Sequence, residues 1–185
     1  MKDAVMVFGI KIRKRLLWAL MLIPVAALLF SSTAATKLAV FLTLLVFNAF
    51  FTFFHYRLHI PVDITPLTLS LLITGYFYGP LGVIALYLLG SLAPGIFAGS
   101  GLGPASFIYI PLNILLGIIF PMFATQSLVF SLFIFLLLYA FLVFLIDGFF
   151  FSSFVRSLAM SAAFLITNLI YLGVVWRLQT LFKFA

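Results

Sequence analysis

The sequence predicts an all-α, polytopic integral membrane protein, a helical bundle with six or seven spans. Hydrophobic residues make up 66% of the 185 residues, charged residues only 7%, and the mean hydropathy is +1.39. A soluble fold of this size needs more than 10 Lys and Arg with 3 Asp and Glu to cover its surface. Membrane-spanning strands are not expected, because open sheet edges are excluded from lipid and no barrel-like alternation occurs.

Charge and cysteine content exclude several classes of protein. The formal net charge is +7, but the one basic cluster, at positions 11–15, has no soluble basic domain around it. We interpret this cluster as the cytoplasmic flank of a membrane helix, and no nucleic-acid partner is expected. The chain has no cysteine, which excludes disulfides, thiolate metal sites and a cysteine nucleophile.

Seven apolar segments are candidates for spans, since crossing a bilayer takes about 20 apolar residues in a helix. They are residues 16–30, 38–54, 64–78, 82–93, 106–123, 128–146 and 157–176. The third and fourth segments flank Gly79-Pro80 and are predicted to form a tight helical hairpin. Spans interrupted by Gly or Pro concentrate between Pro61 and Pro121, and such interruptions indicate a binding site because they free backbone polar groups.

The chain is expected to form a single transmembrane domain, residues 1–185. Within it, residues 1–37 hold the basic N-terminus and first hydrophobic helix, residues 38–177 the core bundle and residues 178–185 a short tail. The N-terminus has the layout of a secretory signal, with small residues at 31–35 after the apolar stretch. We expect it to be retained, since a helix running on to Thr36 is long enough to stay in the membrane.

Two orientations are compatible with the distribution of Lys and Arg. If all seven segments cross and the N-terminus is inside, seven basic residues lie inside and three outside, the three being Lys37, Arg177 and Lys183. If the first segment does not cross, eight lie inside and two outside, the two being Arg57 and Arg156. The second orientation places the loop at residues 94–105 on the outer face, whereas the apolarity of residues 16–30 favours the first.

The most informative stretch of the sequence is residues 60–103. A Pro-containing segment, IPVDIT, leads into a helix with several polar residues, Gly-Pro-x-Gly at 79–82 reverses the chain, and residues 94–105 form a glycine-rich loop. Glycines in this loop permit positive φ and close backbone approach, so its amides and carbonyls can hydrogen-bond a buried ligand while Phe97 covers the ligand's apolar part. A flexible connector between helices is the alternative interpretation.

This stretch resembles the substrate-binding S-components of energy-coupling-factor vitamin transporters, and within them the biotin-binding branch most. The matching positions are residues 60–65, Gly75, residues 79–82, Tyr87, Gly90 and residues 97–99. The resemblance implies a six-helix core, here with an additional N-terminal hydrophobic helix, in the cytoplasmic membrane. It also implies uptake of a vitamin-like small molecule, energised by a transmembrane coupling subunit and separate ATPase subunits, since this chain has no phosphate-binding loop with its lysine.

Five residues are predicted to contact the ligand: Phe97, Gly99, Tyr109, Asn113 and Asn168. The first two lie in the glycine-rich loop. The other three are polar groups on apolar spans, where a buried amide costs several kcal/mol unless it is paired, so interhelical hydrogen bonding is the alternative for each. Asn113 is the best candidate, because it lies one turn into the helix that follows the loop.

Acidic residues and histidines give a weaker indication of chemistry. His55, His59 and Asp63 have the spacing of a metal site on one helix face, but Pro61 breaks the register and interfacial histidines are commoner. No serine, histidine and acid set occurs at membrane depth, so neither an enzyme nor a cofactor is expected. The alternative function is a non-transporting membrane scaffold, similar to the small membrane component of the bacterial rod-shape complex, and it predicts no enclosed pocket.

Overall fold

The computed structural model describes the backbone of residues 4–7, 10–13, 34–59, 65–124 and 127–182. The chain divides into two compact units, Met1–Thr43 and Leu44–Ala185. In the first unit, strands β1 (Ala4–Val7) and β2 (Ile10–Arg13) pair antiparallel. This short hairpin lies outside the predicted spans and was not expected from hydropathy. The predicted segment 16–30 lies outside the described residues.

From residue 34 onward the regular structure of the described chain is helical, which confirms the all-α part of the predicted fold class. The helices are α1 (Ala34–Arg57), α2 (Leu67–Tyr87), α3 (Ala93–Phe97), α4 (Ser106–Phe123), α5 (Leu128–Ile146) and α6 (Phe154–Phe182). Two π-helical turns, Leu88–Leu92 and Asp147–Phe151, follow α2 and α5. Serine side chains cap two helices, since Ser127 Oγ accepts from the amide of Phe130 and Ser153 Oγ from that of Arg156.

Five described helical stretches are long and apolar enough to cross a membrane. They are Lys37–Arg57, Leu67–Phe97, Ser106–Phe123, Leu128–Phe151 and Phe154–Arg177. This number agrees with a multi-pass membrane protein but does not confirm six or seven spans. The difference arises because residues 16–30 are not described and because segments 64–78 and 82–93 fall within one stretch of 31 residues.

That stretch folds back on itself at Gly79, whose φ of 71° and ψ of −168° are not helical. Residues eight apart in a straight helix are separated by about 12 Å. Here, a β-carbon built on Gly82 would lie 3.1 Å from Thr74 Cγ2, and one built on Gly75 would lie 3.4 Å from Val83 Cγ2. The two arms of α2 therefore run antiparallel, in agreement with the hairpin predicted at Gly79-Pro80.

The first arm of α2 packs against α4 at a pair of glycines. A β-carbon built on Gly75 would collide with the carbonyl oxygen of Gly117, and one built on Gly117 would lie 2.8 Å from Val83 Cγ1. Gly75 thus allows the close approach of the two helices, with Gly117 as the partner across the contact. Gly79, in contrast, has open space around it and serves the turn.

The apolar core of the second unit lies beside this glycine contact. Its buried members come from α2, α4, α5 and α6, and they are Leu69, Leu72, Phe120, Leu132, Leu136 and Leu172. A smaller cluster of Tyr139, Ala140 and Phe164 lies nearer the end of the bundle where α1 and α5 finish and α4 and α6 begin. The helices are thus solidly packed in the leucine-rich region and leave room at the other end.

Candidate ligand-binding cavity

A cavity of about 350 Å³ lies at the end of the second unit where α1 and α5 finish. This volume is at the lower end of the range of about 300–1,000 Å³ found for small-molecule sites. All six helices and the glycine-rich loop contribute to its wall. The lining residues are Thr52, His55, Tyr56, Thr65, Leu67, Tyr87, Ser91, Leu92, Gly95, Ile96, Ser100, Leu102, Ala105, Ser106, Tyr109, Ile110, Asn113, Tyr139, Val143, Asp147, Met160 and Phe164.

The hairpin in α2 is what brings distant parts of the sequence to this cavity. Leu67, at the start of the first arm, and Ser91, beyond the second arm, both line it. Both π-helical turns border it as well, one through Ser91 and Leu92 and the other through Asp147. Extra residues inserted into helices as π-turns redirect side chains and recur at functional sites, and here each turn directs a polar side chain into the cavity.

The glycine-rich loop covers part of the cavity, as its sequence predicted. Residues from both halves of the loop, among them Ile96, Ser100 and Leu102, line the cavity. Helix α3 ends in a Schellman motif, in which the amide of Ser100 donates to the carbonyl of Gly95 (2.9 Å) and the amide of Gly99 to that of Ile96 (3.0 Å). Gly99 is the left-handed residue of that motif, with φ of 94°. The motif turns the chain so that Ser100 faces the cavity.

Asn113 lies in the wall with one half of its amide unpaired. Its side chain is 7% exposed, and Nδ2 donates to the carbonyl of Tyr109, four residues earlier, at 2.8 Å. The Oδ1 atom is buried and has no hydrogen-bond partner. A buried acceptor without a partner is costly, and Asn48 and Asn168 have the same unpaired Oδ1 outside the cavity lining.

Tyr109 and Asp147 connect α4 to the turn after α5. The hydroxyl of Tyr109 donates a hydrogen bond to a carboxylate oxygen of Asp147. Because the hydroxyl proton faces Asp147, the Tyr109 oxygen is left as an acceptor toward the cavity. Asp147, the one acidic residue among the described residues of the wall, thus accepts its hydrogen bond from an uncharged hydroxyl.

Helix α1 supplies two further polar groups to the wall. Thr52 is 1% exposed, and its Oγ1 has no hydrogen-bond partner. His55, one turn later, has a buried Nδ1 that is also without a partner. Both atoms are covered by the protein, so neither offers a hydrogen-bonding group to the cavity itself.

The five residues predicted to contact a ligand are not brought together. Tyr109 and Asn113 line the cavity. Phe97 does not, because α3 directs it outward, where it is 84% exposed, and Ile96 and Leu102 take the apolar place expected for it. Gly99 is exposed and terminates α3. Asn168 is fully buried in α6 and bonds to the carbonyl of Phe164 at 3.0 Å, outside the cavity lining.

The expectation of interhelical hydrogen bonds also needs correction for the asparagines. Asn113 and Asn168 each donate within their own helix, to the carbonyl four residues earlier. The polar contact between helices is made instead by Tyr109 with Asp147. An amide near its own backbone finds the i−4 carbonyl without any movement of a neighbouring helix, which explains the preference.

The histidines do not form a cluster in the described part of the chain. His55 lines the cavity, His59 is exposed with φ of 51°, and Asp63 lies outside the described residues. Among the residues that are described, no group of three His, Cys, Asp or Glu side chains could hold a metal ion.

Of the lining residues, only Tyr109 and Asn113 were predicted from the sequence as ligand contacts, and the polar residues missed include Thr52, His55, Tyr139 and Asp147. A signal existed for two of these, since Asn48, Thr52 and His55 recur four and three residues apart and so share one face of α1. Asp147 directly follows α5, and its approach to Tyr109 depends on how α4 and α5 pack. Comparison of the chain with family models, with curated proteins and with solved structures finds no match.

Proposed function

We propose that this chain is the membrane-embedded substrate-binding subunit of an uptake system for a small vitamin-like molecule, located in the cytoplasmic membrane. The observation that carries the proposal is the cavity of about 350 Å³ beneath the glycine-rich loop, which is lined by Tyr109, Asn113 and Asp147. A concave chamber of this size, with a few polar side chains in a largely apolar wall, is what a small-molecule site provides. The sequence resemblance to S-components supports the same function.

Energy for uptake has to come from partner subunits under this proposal. The chain has no phosphate-cradling Gly-rich loop with its lysine, and its described helices are suited to the membrane. A transmembrane coupling subunit and ATPase subunits would supply it, as the resemblance implies. The binding subunit then captures the molecule on the outer side, beneath the glycine-rich loop.

The alternative, a non-transporting membrane scaffold, requires no chamber in its interior. A scaffold would gain stability from filling this end of the bundle with apolar side chains, as the leucine-rich core does elsewhere. The cavity therefore supports the binding proposal over the scaffold.

Binding by the purified protein tests the proposal. Small molecules retained through purification are identified by mass spectrometry, and affinities for water-soluble vitamins are measured by calorimetry. Asn113→Leu is expected to weaken binding about 10-fold, since it replaces a polar residue of the lining with a branched apolar one. Asn168→Leu is the matched control, because Asn168 makes the same intrahelical bond outside the cavity lining, and it should change affinity by no more than about twofold. No retained molecule and no affinity for any vitamin tested would refute the proposal.

A further inference from the structure

The charge of the cavity wall narrows the class of molecule that the cavity accepts. Among the described residues that line it there is no lysine or arginine, and Asp147 is the one carboxylate. His55 is the one histidine in the lining. A carboxylate-bearing guest would bring a second negative charge close to Asp147, in a partly buried site that has no lysine or arginine to compensate.

The hydrogen bonds within the wall also favour a guest without a carboxylate. An ionised carboxylate has about four lone-pair positions, and the described structure fills one on the Asp147 side chain, with the hydroxyl of Tyr109. The amide of Asn113 is directed at its own helix, where Nδ2 donates to the carbonyl of Tyr109. The carboxylate of Asp147 therefore keeps acceptor positions for the donor groups of a guest.

We propose that the molecule held in the cavity is uncharged or cationic and rich in N–H or O–H donors, and that Asp147 binds its donor groups. This inference rests on the proposed function and specifies its substrate class. It departs from the biotin branch to which the sequence is most similar, because biotin carries a carboxylate. The donor-bearing end of the guest lies toward α4 and the π-helical turn at Asp147–Phe151, and its apolar end toward Ile96 and Leu102.

Matched pairs of probes that differ only in a carboxylate test this inference on the full-length protein. The pairs are nicotinamide with nicotinate, pantothenol with pantothenate, and biotin amide with biotin, and thiamine and pyridoxamine serve as cationic probes. The uncharged member of any pair that binds, or a cationic probe, is expected to bind at least about 10-fold more tightly than the carboxylates. A carboxylate bound more tightly than its uncharged partner would overturn the inference while leaving the proposed function intact.

Two variants separate the role of Asp147 from a merely structural one. Asp147→Asn keeps the shape and is expected to reduce the preference for the uncharged or cationic member by roughly 10-fold or more. Tyr109→Phe removes the hydrogen bond but leaves the charge, so the preference should remain or increase even if overall affinity falls. A preference unchanged in Asp147→Asn, or lost equally in Tyr109→Phe, contradicts the assignment. If no probe binds to the unmodified protein, the proposed function fails and this inference with it.

Discussion

Three asparagines on three different helices make the same type of hydrogen bond within their own helix. Asn48, Asn113 and Asn168 each donate from Nδ2 to the carbonyl four residues earlier, at 2.7, 2.8 and 3.0 Å, and each keeps an unpaired, buried Oδ1. Of the three, Asn113 lines the cavity. An asparagine in an apolar span therefore predicts a buried amide. Whether that residue lines a cavity depends on how the neighbouring helices pack.

Gly75 offers a direct test of packing at the scale of one residue. Gly75→Ala places a methyl group against the carbonyl oxygen of Gly117, which is backbone and cannot move aside cheaply. We expect the substitution to lower stability by about 1–3 kcal/mol, as overpacking typically does. Thermal unfolding of the purified protein in detergent measures the change.

Gly173→Ala is the matched control for that experiment. Gly173 also lies in a helix, α6, but a β-carbon built there meets nothing within 4 Å. It should leave the melting temperature unchanged or raise it slightly, because alanine favours the helix over glycine. Equal destabilisation by the two substitutions would rule out the close contact between Gly75 and Gly117.

Gly99 tests the loop conformation in the same way. Gly99→Ala forces an L side chain into a left-handed conformation, φ 94°, and is expected to cost about 1–2 kcal/mol. Gly101→Ala, two residues later in open space and without positive φ, should change stability by no more than about 0.5 kcal/mol. Thermal unfolding again gives the comparison, and a larger loss in Gly101→Ala would contradict the Schellman motif at the end of α3.

At the scale of elements, the reversal inside α2 determines the layout of the site. A continuous helix from Leu67 to Ser91 would separate the two residues by about 36 Å, and they could not line one cavity. The reversal depends on Gly79, the residue of the turn with positive φ, followed by Pro80, which lacks an amide hydrogen. The hairpin is thus a property of two neighbouring residues in an otherwise helical stretch.

Distance measurements between spin labels check the hairpin. Because the chain has no native cysteine, labels can be placed at Leu67→Cys and Ser91→Cys without further changes. We expect a separation far below the ~36 Å of a straight helix. Val155→Cys with Trp176→Cys on α6 is the control pair, for which about 32 Å is expected along one uninterrupted helix. Similar long distances for both pairs would exclude the reversal.

Hydropathy predicted the helical stretches well, because burial in lipid requires apolar side chains at nearly every position. The turn at Gly79-Pro80 was also predictable, since Gly and Pro have local conformational effects that need no knowledge of neighbours. The direction of Phe97, the partner of Gly75 and the approach of Tyr109 to Asp147 were not predictable. Each depends on which helices are neighbours in the fold, and no local pattern in a single sequence shows this.

At the scale of the whole molecule, the described part of the second unit has a cavity end and a solid end. Arg57 and Arg156 lie at the cavity ends of α1 and α6, and Arg177 lies at the opposite end of α6. The proposed function requires the cavity end to face outward. That requirement corresponds to the second of the two orientations allowed by the count of basic residues.

Accessibility of single cysteines determines the orientation. Ser100→Cys lies in the glycine-rich loop, and Ser127→Cys lies at the other end of the bundle, before α5. In intact cells, we expect a membrane-impermeant thiol reagent to label the first and to label the second only after lysis. The reverse pattern would place the loop in the cytoplasm and contradict capture from outside.

The glycine contact between Gly75 and Gly117 has a consequence for how quickly a guest could come and go. Backbones that touch, with leucines filled in beside them, make that half of the bundle resistant to splaying apart. Entry and escape are then left to the short glycine-rich loop, whose opening and closing would set the residence time. Stiffening that loop should lower the association and dissociation rate constants by similar factors, so that the dissociation constant stays nearly the same.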